Sequence, residues 1–322
     1  MILKIKMMAI FAAAAVVSGA GASFAHAAAL PEEVMIPGQR VFPESMTSTP
    51  DGTLIIGSIG AKTIFRAKPG AAAAEAWIQP GTDGLSSIFG VLADAKSNTL
   101  WACTSTLGPP GGPATAPTAL YAFDLKTGAT KAHYPFPTPG GFCNDIAIGP
   151  DGTAYATDTM NMEVVSLKKG AKTLEVWAGN GGFGPKGGIL DGISVLGKRV
   201  LVNALGTSKL FSVPIESNGS AGTVVEVKLD RPIDHPDGMR AFGKNSVLVV
   251  EGGNGGRLSR VDLTGDTGKA TTVKEGYPDG PVAITVVGTT GYVLEGQLAG
   301  MRAGPDAPSK PFHATAVTVG KP

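Results

Sequence analysis

Four residues with side-chain oxygens, Glu44, Asn144, Asp191 and Asp237, stand at the same phase of a recurring phrase in this chain. In each copy the polar residue opens an apolar run, a tight Gly-containing turn follows, and a second apolar run returns. The clearest copies are Glu44-Ser-Met-Thr-Ser-Thr-Pro-Asp-Gly52-Thr-Leu-Ile-Ile and Asn144-Asp-Ile-Ala-Ile-Gly-Pro-Asp-Gly152-Thr-Ala-Tyr-Ala. Two more copies open near Phe89 and Val282. Hard oxygen donors drawn from separate segments suit Ca²⁺, which takes about six to eight oxygens in flexible geometry. No Cys or His stands at this phase, and Zn²⁺ would want N or S ligands. Three carboxylates meeting at one point would repel one another unless a cation sat among them. Taken singly, Pro-Asp-Gly is ordinary turn chemistry, and it also occurs at Pro50-Asp51-Gly52, Pro150-Asp151-Gly152 and Pro278-Asp279-Gly280. Asp237 differs because its tripeptide opens a copy, and four donors in register point to one divalent cation.

The elements that must position these residues are β-hairpins, since paired apolar runs around Gly turns read as strands. Recurrence at this period is the sign of propeller blades. Behind the hairpins lie further strands, such as Thr63-Ile-Phe-Arg and Glu75-Ala-Trp-Ile in the first copy, or Leu258–Leu263 and Ala270–Val273 in the fifth. Five units have four strands, and the sixth lacks its fourth. The segment around Val34-Met-Ile supplies it, closing the ring and covering an open edge. The expected fold is therefore all-β: a six-bladed β-propeller with four-stranded blades, closed by the N-terminal strand. Inner strands line the axis and their first residues converge at one mouth. A sandwich would not hold acidic or amide residues at one phase of successive copies.

Composition narrows the rest. Net charge is +1 with 16% charged residues, which gives no nucleic-acid footprint and no basic membrane-binding face. The 46 Gly and 24 Pro fall between apolar runs as turn punctuation. No stretch beyond residue 28 carries a helical period. Residues 1–27 read as a secretory signal: Lys4 and Lys6, a short apolar run through Met7–Val17, then Ala25-His26-Ala27 as cleavage site. The run is short for a membrane span, so the expected mature domain is 28–322, periplasmic or secreted and free of the membrane after cleavage. Cys103 and Cys143 fall at the same end of neighbouring blades, so a disulfide is geometrically possible; two buried thiols are the alternative.

Weaker signals complete the reading. Gly179–Gly184 spells G-x-G-x-x-G, but Pro185 follows and no helix does, so it carries no nucleotide reading. Asn218-Gly-Ser220 reads as a turn. Leu107–Thr118 is a flexible connection or a lid over the mouth. His133 and His313 belong to outer strands. Glu251 and Glu295 end outgoing strands near the mouth, either as partners behind the ligands or as solvated loop acids. No G-x-S-x-G, Walker A or zinc motif occurs.

On these residues the chain resembles the SMP-30/gluconolactonase/LRE family, six-bladed calcium propellers that include sugar lactonases and a diisopropylfluorophosphatase-type phosphotriesterase. Glu44 matches the Glu that opens the first blade in that family. Asn144-Asp145 matches the Asn-Asp of the third, and Pro236-Asp237-Gly238-Met239 matches the fifth letter for letter. The resemblance covers residues 38 to 322, with the four positions spaced by 100, 47 and 46 residues. It implies Ca²⁺ held by Glu44, Asn144, Asp191 and Asp237, with Asp237 as base or nucleophile and Asp191 as the second candidate for that role. Three positions depart from the pattern: Asp191 replaces an Asn, Phe142 stands where sugar lactonases carry Arg, and Val282 opens the sixth blade. The expected substrate pocket is Phe89, Phe142, Asp145, His235 and Val282, with an apolar rim. The implied function is calcium-dependent hydrolysis of a lactone or related ester of small size. A phosphotriesterase on the same ligands, a non-catalytic periplasmic binding or scaffold propeller, and a strictosidine-synthase-like condensing enzyme are the rivals.

Overall fold

The computed structural model describes residues 1–2, 30–106, 117–304 and 306–322. Nearly all of the expected signal segment and of the Leu107–Thr118 connection lies outside the described residues. Six blades surround one axis, each an antiparallel meander running outward. The inner strands of blades I to VI are Pro43–Ser48, Ser87–Asp94, Cys143–Ile148, Leu190–Leu196, Pro236–Phe242 and Pro281–Val287. The second strands, in the same order, are Leu54–Ser58, Thr99–Ser105, Ala154–Asp158, Arg199–Ala204, Ser246–Glu251 and Thr290–Glu295.

The ring closes as the apolar pattern requires. Glu33–Ile36 pairs antiparallel with Phe312–Thr318, with Val34 opposite Ala314 and Ile36 opposite Phe312. The blade VI edge is thereby covered by the chain's own beginning. Blade V departs from the four-stranded expectation. The Val224–Val227 run contributes only Val225–Glu226 to blade IV, and the next residues, Lys228–Leu229, join the outer strand of blade V in parallel.

Cohesion comes from six apolar clusters, one at each blade–blade interface. Between blades IV and V, for example, Leu201 and Leu210 meet Met239, Val247 and Val249, all essentially inaccessible to water. Burying one such side chain stabilises the fold by about 1.5–3 kcal/mol. Strands between two neighbouring blades read as continuous apolar runs because both faces are covered. The short helix Leu298–Arg302 was not signalled by any helical period; it is an excursion from blade VI.

Cys103 and Cys143 form a disulfide, with Cα atoms 5.1 Å apart and a sequence separation of 40. It ties the second strand of blade II to the inner strand of blade III, one residue before Asn144. Closing a loop of this size stabilises by about 4 kcal/mol on the chain-entropy model.

Candidate metal centre and pocket

Every inner strand carries a bulge at its mouth end. The register slips between Pro43 and Ser45, Ile88 and Val91, Cys143 and Ile146, Leu190 and Ile193, Pro236 and Met239, and Pro281 and Ala283. Each slip falls on the residue that opens the repeated phrase. A bulge leaves a residue unpaired and bends the strand, which frees that side chain to turn towards the axis. Two residues earlier the chain pivots: Phe42, Ile189 and His235 have φ of 42°, 57° and 50°, a left-handed conformation costly for non-Gly residues and most of all for β-branched Ile. These pivots precede Glu44, Asp191 and Asp237. Their carbonyls, with that of Phe142, accept hydrogen bonds from Ile59, Leu205, Gly252 and Thr159, so the same backbone joint recurs around the ring.

The residues that follow Phe89, Asp191 and Asp237 are glycines under a constraint of their own. A Cβ on Gly192 would collide with the Asp237 carbonyl, and one on Gly238 with the Val282 carbonyl. Only Gly lets adjacent inner strands approach this closely. The Asn203 amide fixes the same contact, accepting from Gly192 N at 3.1 Å and donating to Asp237 O at 2.7 Å.

One carboxylate oxygen from each of Glu44, Asp191 and Asp237 lies within 4.8 Å of the others. All three residues are buried. Asn144 joins them at the floor of the mouth, and its buried Oδ1 has no hydrogen-bond partner. Burial pushes the Glu44 carboxyl well above its ordinary range, and the charges of Asp237, Asp191 and Asp145 push it further. Burial likewise raises Asp191, to about 7, helped by Asp145. Asp237 is raised first by burial and then by Asp191, against the opposing hydrogen bond from Gly238 N. An orphaned amide oxygen and mutually repelling buried carboxylates fit a hard divalent cation with oxygen ligands. Among the described residues, these form an acidic cluster able to hold a metal ion.

Above this floor opens a cavity of about 700 Å³. Phe89 and Phe142 line it and meet edge-to-face with centroids 4.6 Å apart. Val282 and Ile189 line it too, and Leu298 and Met301 of the short helix hang over it, packed against the clusters on both sides. The helix is anchored by Gln297, whose side chain holds Lys310 N at 2.9 Å. His235 sits at the rim, its side chain 62% exposed and 2.7 Å from Asp234.

Asp145 departs from the expected pocket lining. It is buried below the mouth, where Oδ2 accepts from Ile193 N at 3.2 Å and pairs with Arg240 Nη1 at 2.8 Å. Asn144 and Asp145 lie together in the bulge, and Asp145 is the one that turns away from the mouth, towards Ile193 and Arg240. Glu251 and Glu295 are also not solvated loop acids. Glu251 is fully buried, gripped by Arg231 at 2.9 Å and Arg257 at 2.9 Å, and Glu295 accepts from Asp279 N at 2.8 Å. Arg240 and the helix were missed by sequence reasoning. The one basic side chain in the Pro236–Phe242 strand, three residues after Asp237, was the available signal for Arg240.

No protein-family model matches the sequence. No curated protein matches it either. Solved structures do match in fold. Regucalcin, a calcium-binding protein from Agrobacterium tumefaciens, aligns over 90% of this chain and 97% of its own at TM-score 0.59 and 16% identity. A gluconolactonase from Xanthomonas campestris aligns over 87% of each chain at TM-score 0.62 and 12% identity. Virginiamycin B lyase from Staphylococcus aureus aligns over 88% of this chain and 98% of its own at TM-score 0.54 and 12% identity. At such identities these similarities establish the six-bladed fold. They span a lactonase and a lyase, so the chemistry must be argued from the site.

Proposed function

We propose that the protein is a calcium-dependent hydrolase of lactones or related esters, allied to the SMP-30/gluconolactonase/LRE-like propellers. The observation that carries this reading is the convergence of three carboxylates and one orphaned amide oxygen at the floor of an apolar cavity. Glu44, Asn144, Asp191 and Asp237 would hold the ion. When bound, Ca²⁺ supplies Lewis-acid polarisation of the substrate carbonyl and offsets the developing negative charge. Asp237 accepts a proton from the attacking water, with Asp191 the second candidate. The acyl carbon gains the water oxygen, the ring or ester C–O bond breaks, and the departing alkoxide takes up a proton. Asp237 Oδ1 accepts from Gly238 N at 2.8 Å, which fixes the orientation of the carboxylate at the mouth.

The walls favour a substrate with an apolar body over a sugar lactone. Ile59, Phe89, Phe142, Ile189 and Val282 offer no donors to hydroxyls, and of the polar side chains that line the cavity Thr159, Gln297 and Lys310 are engaged elsewhere, leaving His235 and Arg302 as its donors. Thr159 Oγ1 donates to Leu190 O at 2.7 Å, and Gln297 and Lys310 bind their own loop. The same apolar walls keep a phosphotriesterase as second reading. A panel of alkyl and sugar lactones, aryl esters and a fluorophosphate, run with and without chelator, tests both. Chelator-sensitive turnover of alkyl lactones above sugar lactones is the expected result. No chelator-sensitive turnover on any substrate would replace this reading with a non-catalytic propeller. Export is part of the proposal, supported by the signal-like residues 1–27 and by the disulfide, which suits an oxidising compartment. An intact mass beginning at Ala28 checks it.

A further inference from the structure

Beneath the four donors, the Arg240 guanidinium lies in the central channel, with its side chain 13% exposed. It stands three residues after Asp237 on the inner strand of blade V. Nη1 pairs with Asp145, the residue after Asn144, at 2.8 Å, and donates to Met239 O at 2.8 Å. Nη2 reaches Met46 O, two residues after Glu44, and Val91 O, two residues after Phe89, each at 3.4 Å. The Asp145 oxygen that meets Arg240 also accepts from Ile193 N, two residues after Asp191. One planar fork therefore touches, directly or through Asp145, the strand of every donor just below its bulge. Arg240 also lines the cavity at the opposite mouth, so it closes the channel under the site.

We infer that Arg240, acting through Asp145, is a positioning residue that fixes the spacing of the four oxygen donors and thereby sets metal affinity. Six inner strands meet at the axis with only backbone bulges to aim their first side chains, and bulged strand ends are free to shift. A guanidinium offers several donors in a rigid fork. It can bind a carboxylate and carbonyls of different strands at once, which an ammonium cannot do in one plane. Its positive charge also partly offsets the repulsion felt by Glu44. Held in this way, the donors need not be reorganised when an ion enters, and preorganisation of this kind appears as affinity.

The inference rests on the metal reading above, and the test separates the two. Ca²⁺ binding to the full mature chain is measured by calorimetry, and bound Tb³⁺ is examined by luminescence lifetime, which counts coordinated water. Arg240→Met and Arg240→Lys are each expected to weaken Ca²⁺ binding at least tenfold and to admit at least one further water to Tb³⁺. Asp145→Asn is expected to weaken binding in the same direction. The Arg240→Met/Asp145→Asn double variant should bind no more weakly than the worse single variant, because the two act as one unit. A role confined to stability would lower the metal-free melting temperature and leave affinity and water count unchanged. Binding within twofold of wild type in both Arg240 variants, with an unchanged water count, would overturn the inference. Should Arg240→Met not fold, Arg240→Lys and Asp145→Asn carry the same measurement. A wild-type protein that binds no Ca²⁺ at all would overturn the metal reading, and this inference with it.

Discussion

Two sets of buried carboxylates lie near the same mouth and are handled in opposite ways. Glu251, at the end of the second strand of blade V, is fully buried. Burial alone would raise its pKa, but hydrogen bonds from Arg231, Arg257, Ser259 and Asp234 N bring it to about 2. Glu44, Asp191 and Asp237 are also buried, yet no such set of donors surrounds them, and all three are raised. Arg240 is the nearest cation among the named partners, and it is spent on Asp145. The fold can therefore neutralise a buried acid completely where the need is structural. Where it leaves three acids mutually repelling, raised pKa values let protons hold the site until the cation proposed above takes their place.

This contrast can be broken experimentally. The largest effect should be metal itself: Ca²⁺ at about 1,000 times its Kd should stabilise the wild type by about 4 kcal/mol. That gain, read as a melting-temperature shift, should persist in Glu251→Gln and vanish in Glu44→Gln. Next, Glu251→Gln should cost about 3 kcal/mol in chelator, because it strands two partly buried guanidinium groups. Thermal or denaturant unfolding checks this, and a loss below about 0.5 kcal/mol would remove the structural assignment of Glu251.

The pH dependence sharpens the same point. The folded pKa of Glu251 is depressed, to about 2. Its contribution is therefore complete above the unfolded-state value of about 4.3 and is lost as pH falls through the folded value. Wild-type stability should fall between about pH 4.5 and pH 2, and Glu251→Gln should show a shallower fall over that interval. The smallest effect has the opposite sign. Glu44→Gln should raise metal-free stability near neutral pH by roughly 1 kcal/mol, since it removes one buried repelling charge. Destabilisation in chelator would show that the axial acids are already compensated.

Much of the fold was readable because it is written locally. Period-2 alternation and Gly turns mark each hairpin, and the shortage of a fourth strand in the last copy announced the closure by Val34-Met-Ile. The phase of Glu44, Asn144, Asp191 and Asp237 was readable for the same reason. Other features were hidden. Asn144 and Asp145 look equivalent in sequence, and only the bulge between Cys143 and Ile146 separates the one that faces the mouth from the one that faces Arg240. Glu251 and Glu295 look like loop acids until their partners are placed around them. The five-residue helix over the mouth is too short to show a period.

The sequence by itself determined how many blades there are and which residues stand first on the inner strands, because those depend on neighbours a few residues away. Tertiary structure alone decided that Cys103 meets Cys143, that the three acids converge, and that Arg240 closes the channel beneath them. Each of those pairings joins residues from different blades, with Asp145 and Arg240 at a sequence separation of 95. No local pattern encodes such distances; only the closing of the ring brings them to contact.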